Sequence, residues 1–379
     1  MNHIIQRILF FLFLVINVLF VDKYASRITE FHLFVSLVYL ILGALIVWMV
    51  IKKLIPSQHT SKWLMAIGIS FFTLAIIVQY FVDPISLQVD RWSAIHNFLA
   101  GMLSGEYPYG QQTHLGGYGS PFPVWQILHL PFYFLGNVGL SIFIIVLAFI
   151  GTLSYIYSNK VALMATILLV ISPAFWYEVA VRSDLITNIM LAAIIVEWLS
   201  YKRIKLADYP IPIGILSGLV LSTRLIALIP MCVLYGYEFL RVDWRKQSVF
   251  ILTTITTFVI TFLPFLFWEG STLLFFEYNP FILQTRQGSL GVLLVFAVIA
   301  IAMTIYLKEN QTYRAALTGL ILNILVAMAF VEKMWQQHLW DALYSSAFDI
   351  TYLTIGIPFY IVHLSCFWGG KWGLSLNQS

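Results

Sequence analysis

The sequence predicts an all-α fold: a polytopic transmembrane helical bundle of about 11–13 spans, with an interfacial amphipathic helix in its first large outer loop. Three observations carry that expectation. Of 379 residues, 60% are hydrophobic and 10% charged. The apolar residues gather in runs of about twenty, the length a helix needs to cross hydrocarbon. Lys and Arg collect in alternate connections between the runs, as they do in the cytoplasmic loops of membrane proteins.

Taken in order, the expected spans are 4–22, 32–51, 63–82, 137–157, 160–178, 184–200, 210–223, 225–240, 248–268, 289–307, 313–331 and 349–369. The opening run MNHIIQRILFFLFLVINVLFV looks at first like a signal peptide. No small-x-small cleavage site follows it before Ile28, so it reads as a retained first helix. Segment 122–135 is apolar but interrupted by Pro123 and Pro131. It reads as a short re-entrant or interfacial piece, because non-helical backbone persists at membrane depth only beside protein or water. On this reading residues 1–379 form a single integral-membrane domain with long outer loops at 83–121, 269–288 and 332–348.

Sidedness follows from the basic residues. One face takes Arg7, Lys52, Lys53, Lys62, Lys160, Lys202, Arg203, Lys205, Arg241, Arg245, Lys246, Lys308, Arg314 and Lys371. The other takes Lys23, Arg27, Arg91, Arg182, Arg224, Arg286 and Lys333, a split of 14 to 7 among the 21. The split puts both termini in the cytoplasm of a multi-pass protein, with a bacterial inner or plasma membrane as the expected location. Most carboxylates, including Asp83, Asp90, Glu178, Asp184 and Asp349, fall on the outer side. Carboxylates do not set topology, so their bias points to outward-facing chemistry.

Composition also excludes several classes. A net charge of +4, with no basic block interleaved with aromatics outside the spans, argues against a nucleic-acid partner. Cys232 and Cys366 both lie in apolar runs and offer neither a disulfide framework nor a thiolate metal site. No internal repeat and no inverted pair of Gly/Pro-broken spans is visible, which weakens a secondary-transporter reading.

The first outer loop is the most informative stretch. Within it Trp92, Ile95, Phe98, Leu99, Met102 and Leu103 recur at helical spacing, while Arg91, Ser93, His96 and Asn97 face elsewhere; this is the pattern of an amphipathic helix at the membrane interface. Asp83 ends a span and Asp90 starts that helix. A carboxylate near hydrocarbon has raised proton affinity and can take the proton of an attacking hydroxyl. The competing reading makes Asp83 a loop residue and Asp90 a helix cap beside Arg91.

The run DRWSAIHNFLAGMLSGEYPY from Asp90 to Tyr109, a Gly-rich aromatic stretch, and then GSPFPVWQ from Gly119 to Gln126 resemble the first luminal loop of the C-type (GT-C) glycosyltransferase superfamily. These multispan enzymes take a sugar from a polyprenyl-phosphate carrier, and the mannosyltransferase-like members are the nearest in flavour. The resemblance covers about forty residues and implies that Asp90, or alternatively Asp83, is the catalytic base. Gly105, Pro108 and Tyr109 would then shape a turn, and Arg91, His96, Tyr109 and His114 join the expected substrate-binding set. In many relatives this loop follows the first span, whereas here it follows the third.

The same face offers further candidates. Glu178-Val-Ala-Val-Arg182-Ser-Asp184 is similar to an R-S-D stretch of the superfamily. Arg182 is a candidate phosphate ligand, with an Arg182–Asp184 surface pair as the alternative. Arg224 falls in a shallow turn between two short spans, where a charge marks a functional site by default. Gln284 and Arg286 in the loop at 269–288, and His338 beside Trp335 and Trp340 in the next, fit sugar recognition by amide edges and aromatic faces. An interfacial tryptophan belt competes for Trp335 and Trp340. No histidine pair has the i, i+4 spacing of a preformed metal site, so no metal ligand is assigned and a divalent cation stays open as a cofactor.

The expected function is a membrane glycosyltransferase that moves a sugar from a polyprenyl-phosphate donor to a hydroxyl on a lipid, glycan or protein acceptor at the outer or periplasmic face, within a shell of membrane lipids. A loop carboxylate would act as base, and Arg224, Arg182 or Arg286 would hold the leaving phosphate. The alternatives are a polymerase or ligase of polyprenyl-linked glycans, whose largest loop normally lies later in the chain, and a lipid or solute transporter or flippase.

Overall fold

A computed structural model of the chain describes residues 2–54, 58–273, 279–285, 289–306, 313–345 and 348–370. Among the described residues there is no strand, only one isolated β-bridge between Gln112 and Tyr118. The helices are α1 (Asn2–Ala25), α2 (His32–Met49), α3 (Thr60–Phe81), α4 (Arg91–Ser104), α5 (Pro123–Leu128), α6 (Leu130–Phe134), α7 (Ser141–Ile156), α8 (Asn159–Val170) and α9 (Pro173–Val181). They continue with α10 (Leu185–Tyr201), α11 (Pro210–Leu221), α12 (Leu228–Phe239), α13 (Trp244–Leu266), α14 (Pro280–Thr285), α15 (Leu290–Tyr306), α16 (Arg314–Leu343) and α17 (Ile357–Trp368).

Among the described residues, seven helices are long and apolar enough to cross a membrane, and the bent pair α8–α9 makes an eighth. The chain is therefore a multi-pass membrane protein with an all-α, polytopic bundle. Shorter apolar helices, α10, α11, α12 and α15, stand at the other expected positions. The bundle is layered. Helices α8, α10 and α17 form its centre, with unbroken buried runs from Val161 to Leu169 and from Ile357 to Cys366. Helices α2, α3 and α13 form an outer layer whose exposed side chains, such as Phe34, Ile69 and Leu252, are apolar because lipid takes the place of water around them.

The two ends of the bundle differ. The start of α1 and the end of α17 lie at one end, where His3 packs edge-on against Phe367 and Phe10 against Trp368, each at 5.3 Å. The short basic connections share that end. Asn159 Nδ2 donates to Ser61 Oγ at 2.7 Å, Arg314 pairs with Glu197 at 3.2 Å, and Lys246 Nζ donates to the Ala207 carbonyl at 2.7 Å. The long connections meet at the opposite end, which holds α4.

Two expected elements take a different form. The span 160–178 is two helices meeting at 72°, because Ser172 and Pro173 start a new helix. Asn17 of α1 holds the joint, its Oδ1 accepting from Ser172 Oγ at 2.7 Å and from the Ala174 N–H at 3.1 Å. The segment 332–348, expected as a loop, is helical as far as Leu343, since Glu, Lys, Met, Gln and Leu dominate it. The backbone breaks at His338, with φ 64° and ψ 162°.

Helix α4 forms as the periodicity predicts, and Gly105 in the left-handed region ends it. Its stripe of Ile95, Phe98 and Leu99 is covered by protein: Phe98 meets Tyr109 at 4.8 Å and Phe265 of α13 at 5.4 Å. After the turn at Pro108–Gly110 the chain doubles back. The Thr113 N–H donates to the Gly117 carbonyl at 2.8 Å, and the resulting small hairpin lies over the start of α4.

Candidate active site

The site is built where the hairpin, α4 and the ends of α9, α10 and α11 converge. Asp90 is half-buried at the N-terminus of α4, and its carboxylate does not cap its own helix. Oδ2 instead accepts from Thr113 Oγ1 at 2.9 Å, and no described residue donates to Oδ1. Gly117 makes room for this, because a Cβ there would stand 2.8 Å from Asp90 Oδ2. One turn on, Ser93 Oγ lies 2.7 Å from His114 Nδ1, while His114 Nε2 lies 3.1 Å from the Leu87 carbonyl. The Leu87 carbonyl can only accept, so Nε2 is the ring's donor to it. Asp83 differs: it is exposed and caps the turn Pro84–Ser86, accepting from the Ile85 N–H at 3.1 Å.

Arg91 is the hub of a buried ion network. It donates to Ser183 Oγ at 2.7 Å, Asp349 Oδ2 at 2.6 Å and Thr351 Oγ1, lies 3.5 Å from Glu178 Oε1, and has its guanidinium 5.6 Å from the Tyr352 ring. Glu178 is fully buried, whereas Asp349 leaves 41% of its side chain open, so the network reaches a solvent-facing edge there. Burial pushes the Asp349 carboxyl up, but Arg91 and the bonds from Thr351 outweigh it and hold it below the usual carboxylate value.

A second pair lies beside the first. Arg224 Nη2 donates to Asp184 Oδ2 at 2.5 Å, and Arg224 Nη1 donates to Ser120 Oγ at 3.4 Å. Gln284 fastens the same wall, donating to the Ser120 carbonyl at 2.7 Å and accepting from the Leu225 N–H at 2.8 Å. Asp184 is in the field of both arginines; burial raises its proton affinity, and the Arg224 and Arg91 charges more than reverse this. Asp184 Oδ1, Arg224 Nε, Trp125 Nε1 and both amide atoms of Gln126 and Asn188 are buried and bond to no other described residue. Each such group costs about 1–3 kcal/mol when left dry.

The remaining expected residues separate from this centre. Arg182, with φ 53°, turns back onto the end of α3, donating to the Gln79 carbonyl at 2.5 Å and the Val82 carbonyl at 3.1 Å. The Tyr109 hydroxyl donates to the Pro121 carbonyl at 3.2 Å, which makes it a brace for the loop. His96 stacks on Trp92 at 4.6 Å. His338 is exposed at the break in α16. Arg286 lies outside the described residues.

The structure thus brings His114 and the hairpin onto the Asp90 turn of α4, and separately gathers Arg91 with Asp184, Arg224 and Gln284. It adds residues that sequence reasoning did not assign to a site: Ser183, Thr351, Asn188 and Gln126, and it gives Glu178 and Asp349 specific partners. An Asp immediately before the last apolar run was the one visible signal for Asp349. Among the described residues no group of three or more His, Cys, Asp or Glu is arranged to hold a metal ion. Comparison with protein-family models, with curated proteins and with solved structures finds no match to this chain.

Proposed function

We propose that the protein is a membrane glycosyltransferase of the C type, moving a sugar from a polyprenyl-phosphate donor to a hydroxyl acceptor. Its α4 end would face away from the cytosol. The observation that carries this reading is Asp90: a half-buried carboxylate with one oxygen fixed by Thr113 and the other free, one residue before the arginine that ties the surrounding helices together. A base must come within hydrogen-bond reach of the proton it takes and must keep its lone pairs aimed; the Thr113 bond orients the Asp90 carboxylate and leaves Oδ1 open to an acceptor hydroxyl. As the acceptor oxygen attacks the anomeric carbon, its proton passes to Asp90 and the sugar–phosphate bond breaks, leaving the charge on the carrier phosphate. Asp83 is the weaker candidate because its carboxylate already caps a turn.

Purified protein in vesicles with a labelled polyprenyl-phosphate sugar tests the reading. Asp90→Asn is expected to lower transfer by about 10²–10⁴-fold. Asp83→Asn is expected to stay near wild type, since Asn caps as well as Asp. Transfer surviving Asp90→Asn would remove the catalytic assignment, and translocation of the donor without transfer would favour a flippase.

A further inference from the structure

Lys23 closes the last turn of α1 at the α4 end and is only 3% exposed. Its ammonium makes no hydrogen bond or ion pair among the described residues, although Asp349 and Arg27 lie within its electrostatic field. Its neighbours place this end of α1 against the network. Asp22 accepts from Tyr344 and lies 2.6 Å from His32 Nδ1, and Tyr24 stacks on Tyr177 at 4.7 Å, one residue before Glu178 of the Arg91 network. A lysine buried to this degree, whose ammonium meets no protein acceptor, is suited to bind an anion.

We infer that Lys23 anchors the phosphate of a membrane lipid at the open edge of the Arg91 network. Two features of the place select the ligand. Within the network the arginines are already matched, Arg91 by Glu178 and Asp349 and Arg224 by Asp184, and Arg182 is turned onto carbonyls at the end of α3, so the positive charge left at the Asp349 edge is Lys23 on α1. The turn that follows Lys23 exposes Ile28 at 87% and Phe31 at 75%, an apolar flank suited to a lipid chain and not to a free anion. The ammonium supplies a compact point charge to the phosphate oxygens, and the chain runs along the α1–α2 turn into the bilayer. The inference rests on the transferase reading for the role of the lipid, which would be the carrier whose phosphate leaves.

The test is equilibrium binding of farnesyl phosphate to the full chain in phosphatidylcholine nanodiscs, with inorganic phosphate as the second probe. Lys23→Met keeps the side chain's length and removes the charge. It should weaken farnesyl phosphate binding about thirtyfold or more, the loss seen when one partner of a buried charge pair is removed. Lys23→Arg should restore most of it, and inorganic phosphate should bind weakly to every form. Equal affinity in wild type and Lys23→Met, or inorganic phosphate binding as tightly as the lipid, overturns the inference.

A cross-linking measurement on the wild-type chain guards against a variant that fails to fold. A diazirine-bearing farnesyl phosphate should label the peptide spanning Ser26 to Phe34, and labelling confined to other peptides also overturns the inference. Binding at Lys23 without any sugar transfer would sink the transferase reading alone. Transfer with an unchanged KM for Lys23→Met would sink the anchor alone.

Discussion

Arg91 shows how one side chain can tie distant parts of a chain together. Its donors reach α9 through Glu178, the connection before α10 through Ser183, and the turn before α17 through Asp349 and Thr351. Arg91→Met would leave Glu178 buried with no countercharge, a loss of about 3–5 kcal/mol for a pair of this kind. Arg91→Lys would do better but not recover the wild type, because an ammonium cannot spread its bonds in the plane that guanidinium covers. Thermal unfolding in detergent should rank wild type, Arg91→Lys and Arg91→Met in that order. Glu178→Gln placed in the Arg91→Met background should recover part of the loss, and an unchanged midpoint for Arg91→Met would show the network idle. Asp90, immediately before Arg91, is turned the other way onto Thr113, so a structural residue and the proposed base sit side by side in sequence.

At the level of elements, the apolar runs were legible because bilayer thickness sets their length, and each expected run is helical. What composition hid was how closely the helices approach. In α11, Gly214 and Gly218 face the α13 backbone: a Cβ at 214 would stand 2.9 Å from the Phe250 carbonyl oxygen, and one at 218 would stand 2.6 Å from that of Thr254. The spacing is the small-xxx-small pattern that lets membrane helices pack backbone to backbone, and it was present in the sequence as Gly-Ile-Leu-Ser-Gly. Gly218→Val should push α13 away and lower stability by about 1–3 kcal/mol, as overpacking does. Gly68→Ala is the control, since a Cβ there meets nothing within 4 Å and the added methyl favours helix by about 0.5–1 kcal/mol. Heat inactivation followed by size-exclusion chromatography should separate the two variants in opposite directions from wild type. The bend at Ser172 was legible as a helix start, but its support was not: Asn17 lies 155 residues away from Ser172.

For the whole molecule the same division holds between local and non-local information. The alternation of basic and acidic loops was visible in sequence, and the described residues of those loops do gather at opposite ends. The Arg91–Asp349 pair spans 258 residues, and no local pattern encodes it. Charge bias also bears on which end faces the cytosol. The start of α1 and the end of α17 lie with the basic connections, where Arg314 meets Glu197 and Lys246 meets the Ala207 carbonyl. Insertion retains Lys- and Arg-rich loops in the cytosol, so the α4 end is expected outside. Single cysteines at Glu106 and Lys205, both exposed and on opposite ends, test this in a chain carrying Cys232→Ser and Cys366→Ala. A membrane-impermeant maleimide added to intact cells should label Glu106→Cys and should reach Lys205→Cys only after permeabilisation. The reverse pattern would turn Asp90 toward the cytosol, where an outward-facing acceptor could not meet it, and the transferase reading would then need a cytosolic acceptor.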